Sequence, residues 1–209
     1  MLNFLTKYAA NIHSQNGESG IINECIRRMK IERGHCVEIG ANDGRWMSNT
    51  AQLIEYGWNA LFVEADYDLY LRCKNNFDAY RPNVRVQCAR VSGANVNAFV
   101  NDRCDVFSTD TDGGDYEIFK ALKAKPKIVI IEIDSSYPPD VWAFNSDGAG
   151  TYRNTVELGI EKGYFLLCHT GNLIFVANEY RDLFPEIEGD GLSNAELYFN
   201  RAWLKEAAA

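Results

Sequence analysis

The sequence is short of basic side chains, has no cysteine pair at Cys-x-x-Cys spacing and has no long apolar run. Each absence excludes a class of function. Lysine and arginine number 21 against 29 aspartates and glutamates, a formal net charge of −8. A general nucleic-acid binder needs a basic field to displace counterions from phosphates, so that class is set aside. The six cysteines (Cys25, Cys36, Cys73, Cys88, Cys104, Cys168) are scattered, and several lie in apolar stretches where a thiol acts as a small hydrophobe. Neither a zinc site nor a disulfide framework is expected, and reduced thiols suit the cytoplasm. No stretch approaches the roughly 18 apolar residues of a membrane span. The start, Met1 to Lys7 followed by the polar run Asn11–Ser19, lacks the apolar core and cleavage site of a secretory signal. A cytoplasmic protein with no membrane partner is expected.

What is present reads as globular: 209 residues, 46% hydrophobic and 24% charged, enough for one domain with a real core. The whole chain is read as one domain, with an N-terminal helical segment (1–34), a Rossmann-like core (35–177) and a tail (178–209). Short β-branched runs alternate with helical stretches, the pattern of a parallel sheet with crossover helices. Helices are expected over Leu2–His13, through Ile21, Ile22, Cys25, Ile26 and Met29, and over Ser48–Tyr56, Tyr67–Phe77, Asp115–Leu122 and Tyr152–Lys162. Strands are expected at His35–Ile39, Ala60–Glu64, Asn83–Cys88, Cys104–Thr109, Lys127–Ile133, Tyr164–Cys168 and Leu173–Val176. The third is the most polar and belongs near a sheet edge. Gly171-Asn172 between the last two is a hairpin signal. The stretch from Asp134 to Gly150 is the longest loop, of a length typical of binding loops. One more amphipathic segment is expected around Leu197–Leu204.

Chemistry concentrates at strand ends. Val37-Glu38-Ile39-Gly40-Ala41-Asn42-Asp43-Gly44 is a strand running into a glycine turn, where backbone N–H groups can approach a ligand. The Gly40-x-x-x-Gly44 spacing is not the Gly-x-Gly-x-x-Gly that brings a helix N-terminus to a pyrophosphate. Glu38 and Asp43 would repel a pyrophosphate and suit a cation; S-adenosylmethionine carries both an ammonium and a sulfonium. The plain alternative is a left-handed turn with bystander acids. Glu64 ends the second strand, about twenty residues on, where a carboxylate can accept both ribose hydroxyls of an adenosine. That position serves a nicotinamide dinucleotide equally well, so an oxidoreductase stays open.

Ser14-Gln15-Asn16-Gly17-Glu18, the Val37–Gly44 turn, Ser48-Asn49-Thr50, Gly57–Glu64, Asp110-Thr111-Asp112-Gly113-Gly114-Asp115, Lys125-Pro126-Lys127 and Lys162-Gly163-Tyr164 together resemble the FkbM-type class I methyltransferases. The resemblance runs from about Ser14 to Val176, with Asp115 standing where glutamate is more usual. It implies S-adenosylmethionine as cofactor, held by Glu38, Gly40, Ala41, Asn42, Gly44, Ser48, Asn49, Glu64, Ala65 and Asp110. Cys88 and Ala89, with Arg90, are taken as adenine contacts from their place after the third strand. It also implies methyl transfer to an oxygen, of a small molecule or a glycan.

Asp110, Asp112 and Asp115 follow the fourth strand; Glu132 and Asp134 end the fifth. In a doubly wound sheet these ends converge on one crevice, and so many carboxylates need a cation or a shared proton for relief. Asp110 or Glu132 is read as general base or metal ligand, and Asp110, Glu132 and Asp134 as the set open to a divalent ion such as magnesium. Asp115 has a simpler role open to it, capping the next helix. Asp110-x-Asp112 also permits a metal-dependent glycosyltransferase, although the glycine turn would then be unexplained; a non-catalytic cofactor-binding protein is a third class. His169, at the expected hairpin tip, is a further base candidate, with an exposed turn residue as the alternative. Asp112, Asp134, Tyr137, Trp142 and Phe144 are the expected acceptor contacts. The sequence leaves oligomeric state open, a homodimer included.

The expectation is therefore an α/β protein of the Rossmann-like class I methyltransferase fold: a seven-stranded, mostly parallel sheet with an antiparallel last strand, helices on both faces, and the N-terminal segment over the cofactor side or at an interface.

Overall fold

The structure, a computed structural model, describes residues 4–187. One sheet of seven strands organises it, in the order β3-β2-β1-β4-β5-β7-β6. The strands are β1 (His35–Ile39), β2 (Asn59–Glu64), β3 (Val84–Cys88), β4 (Val106–Thr109), β5 (Ile128–Glu132), β6 (Tyr164–His169) and β7 (Asn172–Ala177). The first five pair in parallel, while β7 runs antiparallel to both β5 and β6. Strand β5 reads Ile-Val-Ile-Ile because both its faces are covered; all four side chains are buried, as a central parallel strand requires. Strand β3 has only Val84 fully buried, and it is indeed an edge strand.

Among the described residues five α-helices cover the sheet: α1 (Glu18–Met29), α2 (Ala51–Glu55), α3 (Tyr67–Asn76), α4 (Asp115–Ala121) and α5 (Tyr152–Glu161). The order reverses between β1 and β4, so the crevice at the strand ends opens beside the β1 turn. All six cysteines are free, five of them buried. Among the described residues no helix is long and apolar enough to cross a membrane.

Three expectations are corrected. The helix expected over Leu2–His13 shrinks to a 3-10 stretch, Phe4–Tyr8. Beyond it the chain turns back instead: Ala10 N–H bonds Gly17 O, Gly20 N–H bonds Ala10 O, and the Asn11 side chain accepts from Gly17 N–H. Gly20 makes this approach possible, since a β-carbon there would lie 1.9 Å from Tyr8 O. Helix α2 begins at Ala51, not Ser48, because Ser48, Asn49 and Thr50 are drawn to Glu38. His169 is no exposed turn residue; it ends β6 with no accessible surface. The segment around Leu197–Leu204 lies outside the described residues.

The Lys162-Gly163-Tyr164 motif is explained locally. The Lys162 ammonium donates to Lys120 O (3.2 Å) and Leu122 O (2.8 Å), closing the carbonyl end of α4, and it lies over the Phe119 ring. Lys162→Met should keep the stem packed and lose the two bonds, lowering stability by about 1 kcal/mol. Urea unfolding monitored by fluorescence measures it, and no loss would remove Lys162 from this role.

The N-terminal segment is tied to the hairpin end of the sheet. Glu18, fully buried, accepts from Thr170 Oγ1 and from Asn16 N–H, both at 2.8 Å. Arg28 forks onto Glu186 and also bonds Leu183 O, which closes the residues after β7 onto α1.

Candidate functional site

The β1 turn spans Gly40 to Thr50 and contains four left-handed residues: Gly40 (φ 75°), Asn42 (φ 52°), Gly44 (φ 80°) and Met47 (φ 58°). Gly40 is forced as much by space as by φ, because a β-carbon would fall 1.6 Å from Asp110 O. The two strand ends thus touch through a missing side chain, and β4's Asp110 is brought against the β1 turn. At Gly44 the missing β-carbon makes room for Phe77 and Cys73 of the α3 region. Both glycines therefore serve chain-to-chain approach. The backbone of Ala41 and Asn42 lies between them, with Ala41 buried.

Glu38 is almost fully buried, and both its oxygens are engaged. It accepts from Ser48 Oγ (2.7 Å), Asn49 N–H (3.0 Å), Thr50 N–H (3.2 Å) and Thr50 Oγ1 (2.5 Å). Burial pushes its carboxyl above the ordinary range while these four donors pull it back. Asn49 further donates to Ser108 Oγ at 3.1 Å on β4. Glu38, Ser48 and Asn49 accordingly form one buried knot that ties the start of α2 to β1 and β4. Thr50, its shortest contact, belongs to the Ser48-Asn49-Thr50 motif but was not among the residues expected to hold the cofactor.

Glu64 lies where its strand predicts, at the end of β2. Its oxygens accept Asn42 N–H (2.7 Å) and Asp66 N–H (2.8 Å), one each. Each carboxylate oxygen has capacity for another donor. Among the described residues no cation pairs with it. Asp66 caps α3 through Leu69 N–H, and Ala65 is exposed between the two acids. Cys88 pairs with Glu64 in the sheet register, and Ala89 N–H bonds Glu64 O, which places Cys88 and Ala89 beside it. Arg90 is exposed just beyond.

Across the crevice, Asp110, Asp112 and Glu132 each present an oxygen within 4.8 Å of the others. Desolvation and neighbouring acids raise both Asp110 and Glu132, and Glu132 more, because the hydrogen bond between them favours the ionised form of Asp110 and the protonated form of Glu132. A hydrogen bond joins the two, so the pair keeps one proton between them through neutral pH. Asp112 is exposed and left-handed (φ 57°). No lysine, arginine or histidine among the described residues pairs with any of the three.

Asp115 lies close enough to raise both acids but, like Asp134, engages its oxygens in its own turn. Asp115 is fully buried and accepts from Thr109 Oγ1, Thr111 N–H, Thr111 Oγ1 and Gly113 N–H. It shapes the 109–113 turn and makes no bond to the N–H groups of its own helix. Asp134 accepts from Ser136 N–H, Ser136 Oγ and Asn145 Nδ2. Against some desolvation, these bonds hold it below the usual carboxylate value. It braces the 134–150 loop, whereas the sequence places it among metal ligands and acceptor contacts.

His169 Nε2 lies 2.7 Å from Ser135 Oγ, and its ring meets Tyr152 edge-on at 5.9 Å. Desolvation lowers its pKa to about 3, so the ring is neutral across the physiological range. With no accessible surface it has no route to an acceptor in this conformation; its visible work is to anchor Ser135, the root of the long loop. On that loop Trp142 (56% exposed) meets Phe144, which meets Tyr116 of α4, at centroid distances of 5.3 and 4.8 Å. The loop packs against the Asp112 turn, since Gly113 lies against Asp147 O. Tyr137 is half-buried nearer the loop's start. Trp46 (63% exposed) and Met47 carry a second apolar surface on the β1 turn, which the sequence reading did not single out.

No family model matches the chain, and no curated protein matches it. Solved structures do. A putative caffeoyl-CoA O-methyltransferase from Staphylococcus aureus is similar over 81% of this chain and 86% of its own, at 14% identity and a TM-score of 0.54. A putative RNA methyltransferase from Pyrococcus horikoshii is similar over 77% and 83%, at 14% identity and a TM-score of 0.53. An S-adenosylmethionine-dependent methyltransferase from Clostridium acetobutylicum aligns with 59% of this chain at 18% identity and a TM-score of 0.42; this chain spans about half of it, 52%. The likeness establishes the fold: the Rossmann-like class I methyltransferase sheet with its antiparallel β7.

Proposed function

We propose that this chain binds S-adenosylmethionine and transfers its methyl group to a hydroxyl of a small molecule or glycan. The observation that carries the reading is the Glu64 carboxylate. It is fixed from behind by two backbone N–H groups, has spare acceptor capacity, and stands beside the β1 turn with no cation among the described residues paired to it. A ribose diol supplies the two O–H donors that such a carboxylate lacks. A diphosphate does not fit, because Glu64, Asp43 and the acids on β4 and β5 would all repel it. The donor set therefore fits a cationic nucleoside. In this reading Cys88 and Ala89, beside Glu64 in the sheet, border its base.

Bound there, S-adenosylmethionine supplies a methyl group on a positively charged sulfur. The chain's own part is alignment and proton handling. Asp110 accepts the acceptor's hydroxyl proton, and Glu132 keeps the pair's resident proton, so Asp110 alone carries the charge. Asp112, Tyr137 and Trp142 border the acceptor, and holding the reacting atoms in line is the larger contribution. The resemblance to FkbM-type enzymes and the fold of the structural neighbours support this reading. The three acids also suit a divalent ion by donor type, but nothing beyond their proximity favours one.

Calorimetric titration with S-adenosylhomocysteine tests the cofactor. Saturable binding is expected, with Glu64→Ala weakening it about 10- to 100-fold through two lost charge-assisted hydrogen bonds. Preference for NAD over S-adenosylhomocysteine would overturn the assignment.

A further inference from the structure

At the carboxyl edge of the sheet the strand register sets a row of residues across the crevice. Val63 pairs with Ile39, Ile39 with Thr109, and Thr109 with Ile131. One residue further along each strand stand Glu64, Gly40, Asp110 and Glu132. Glu132 in turn pairs directly with Asn172 of β7. Paired residues share a face of the sheet, so the whole row stands on one face. Two observations agree: Asp110 and Glu132 are hydrogen-bonded, and Asn49 bridges Glu38 to Ser108, the pair one pleat below. Asp110 is the middle of the row, with Glu64 two strands to one side and Asn172 two strands to the other.

Asn172 is the member without a task. It is 5% exposed, yet among the described residues its side-chain amide makes no hydrogen bond; only its backbone oxygen is used, by Thr170. A buried amide without partners costs free energy that an apolar side chain in its place would not. The amide is not sealed in the core either. It stands beside Glu132, with about 4.5–5.5 Å between the two β-carbons.

We infer that Asn172 holds a second hydroxyl of the methyl acceptor, and that the acceptor is an uncharged ring carrying several hydroxyls. The inference rests on the reading of Asp110 as base and S-adenosylmethionine as donor. Asp110 and Asn172 are separated by two strand spacings, roughly 10 Å at the backbone, with Glu132 between them. The amide therefore meets a different oxygen from the one that Asp110 deprotonates. An amide both donates and accepts, and so does a hydroxyl. A phosphate or carboxylate on the acceptor would be repelled by Asp110, Asp112 and Glu132 in the same crevice. Gripped at two oxygens, the ring cannot rotate, and the reacting hydroxyl is held in line with the methyl group.

Methyl transfer from S-adenosylmethionine to inositol, cyclohexanol and inositol monophosphate, read by mass spectrometry, tests it. Inositol should be methylated with a kcat/KM about tenfold or more above the other two. Asn172→Ala should narrow the preference for inositol over cyclohexanol about tenfold, mainly by raising KM for inositol. Asn172→Ser should restore part of it. Both variants should keep the parent's unfolding midpoint and its affinity for S-adenosylhomocysteine, because the amide bonds nothing in the protein. Equal use of inositol and cyclohexanol, no transfer to inositol, or equal losses on both substrates in Asn172→Ala would overturn the inference. Failure of the parent to bind S-adenosylhomocysteine would instead overturn the reading beneath it.

Discussion

Asp110→Asn should lower turnover by about 10²–10⁴-fold, the range of a lost general base, while S-adenosylhomocysteine affinity falls far less. Glu132→Gln should lower turnover too, by a smaller factor, because Gln can still hydrogen-bond Asp110 but no longer holds the shared proton. Equal losses in affinity and turnover would reduce both residues to cofactor ligands. The pH profile offers a second reading. The acting form is ionised Asp110, whose pKa burial raises above the ordinary aspartate value, so turnover should fall as pH drops and do so closer to neutrality than a free carboxylate allows. Stability follows the opposite sense. Both acids bind protons more tightly folded than unfolded, so folding takes up protons and stability falls as pH rises from the unfolded carboxylate pKa toward the raised folded values. Glu132→Gln removes that cost. It should raise the unfolding free energy by about 1–3 kcal/mol at neutral pH, with a gain that grows with pH and vanishes near pH 4. A site that is stabilised when disabled is holding charge against its own folding.

The other large effect is expected at Glu38. Glu38→Ala strands Ser48, Asn49 and Thr50 donors inside the protein and leaves a cavity, at a cost of about 3–5 kcal/mol. Glu38→Gln keeps the volume but turns an amide N–H₂ toward one set of donors, so roughly 1–3 kcal/mol is expected. Denaturant unfolding measures both. If Glu38→Ala were as stable as the parent and lost only cofactor affinity, the carboxylate would be a ligand rather than the knot that starts α2.

The line between what was legible and what was not is physical. Strands were readable because burial on two faces demands continuous apolar runs, as in Ile128–Ile131, and the hairpin was readable from Gly171-Asn172. The place of Glu64 at the end of β2 was readable from the apolar run that precedes it. The short α2 was not, since Ser48-Asn49-Thr50 has the composition of a helix start and only Glu38, ten residues upstream and in a strand, draws those side chains away. His169 was misplaced for a related reason. Local sequence shows a histidine two residues before Gly171, while its burial comes from Ser135 and Tyr152, far away in the chain.

Sequence alone determined the strand and helix alternation, the antiparallel closing hairpin and the types of residue at the strand ends, because periodicity and turn chemistry act over a few neighbours. The tertiary structure decided which acids become partners. Asp110, Asp112 and Glu132 were drawn into one group, Asp115 and Asp134 were spent on their own turns, and Glu38 was sealed inside. A carboxylate's role depends on which donors and charges surround it. Those come from strands paired in space, and no local spacing records them.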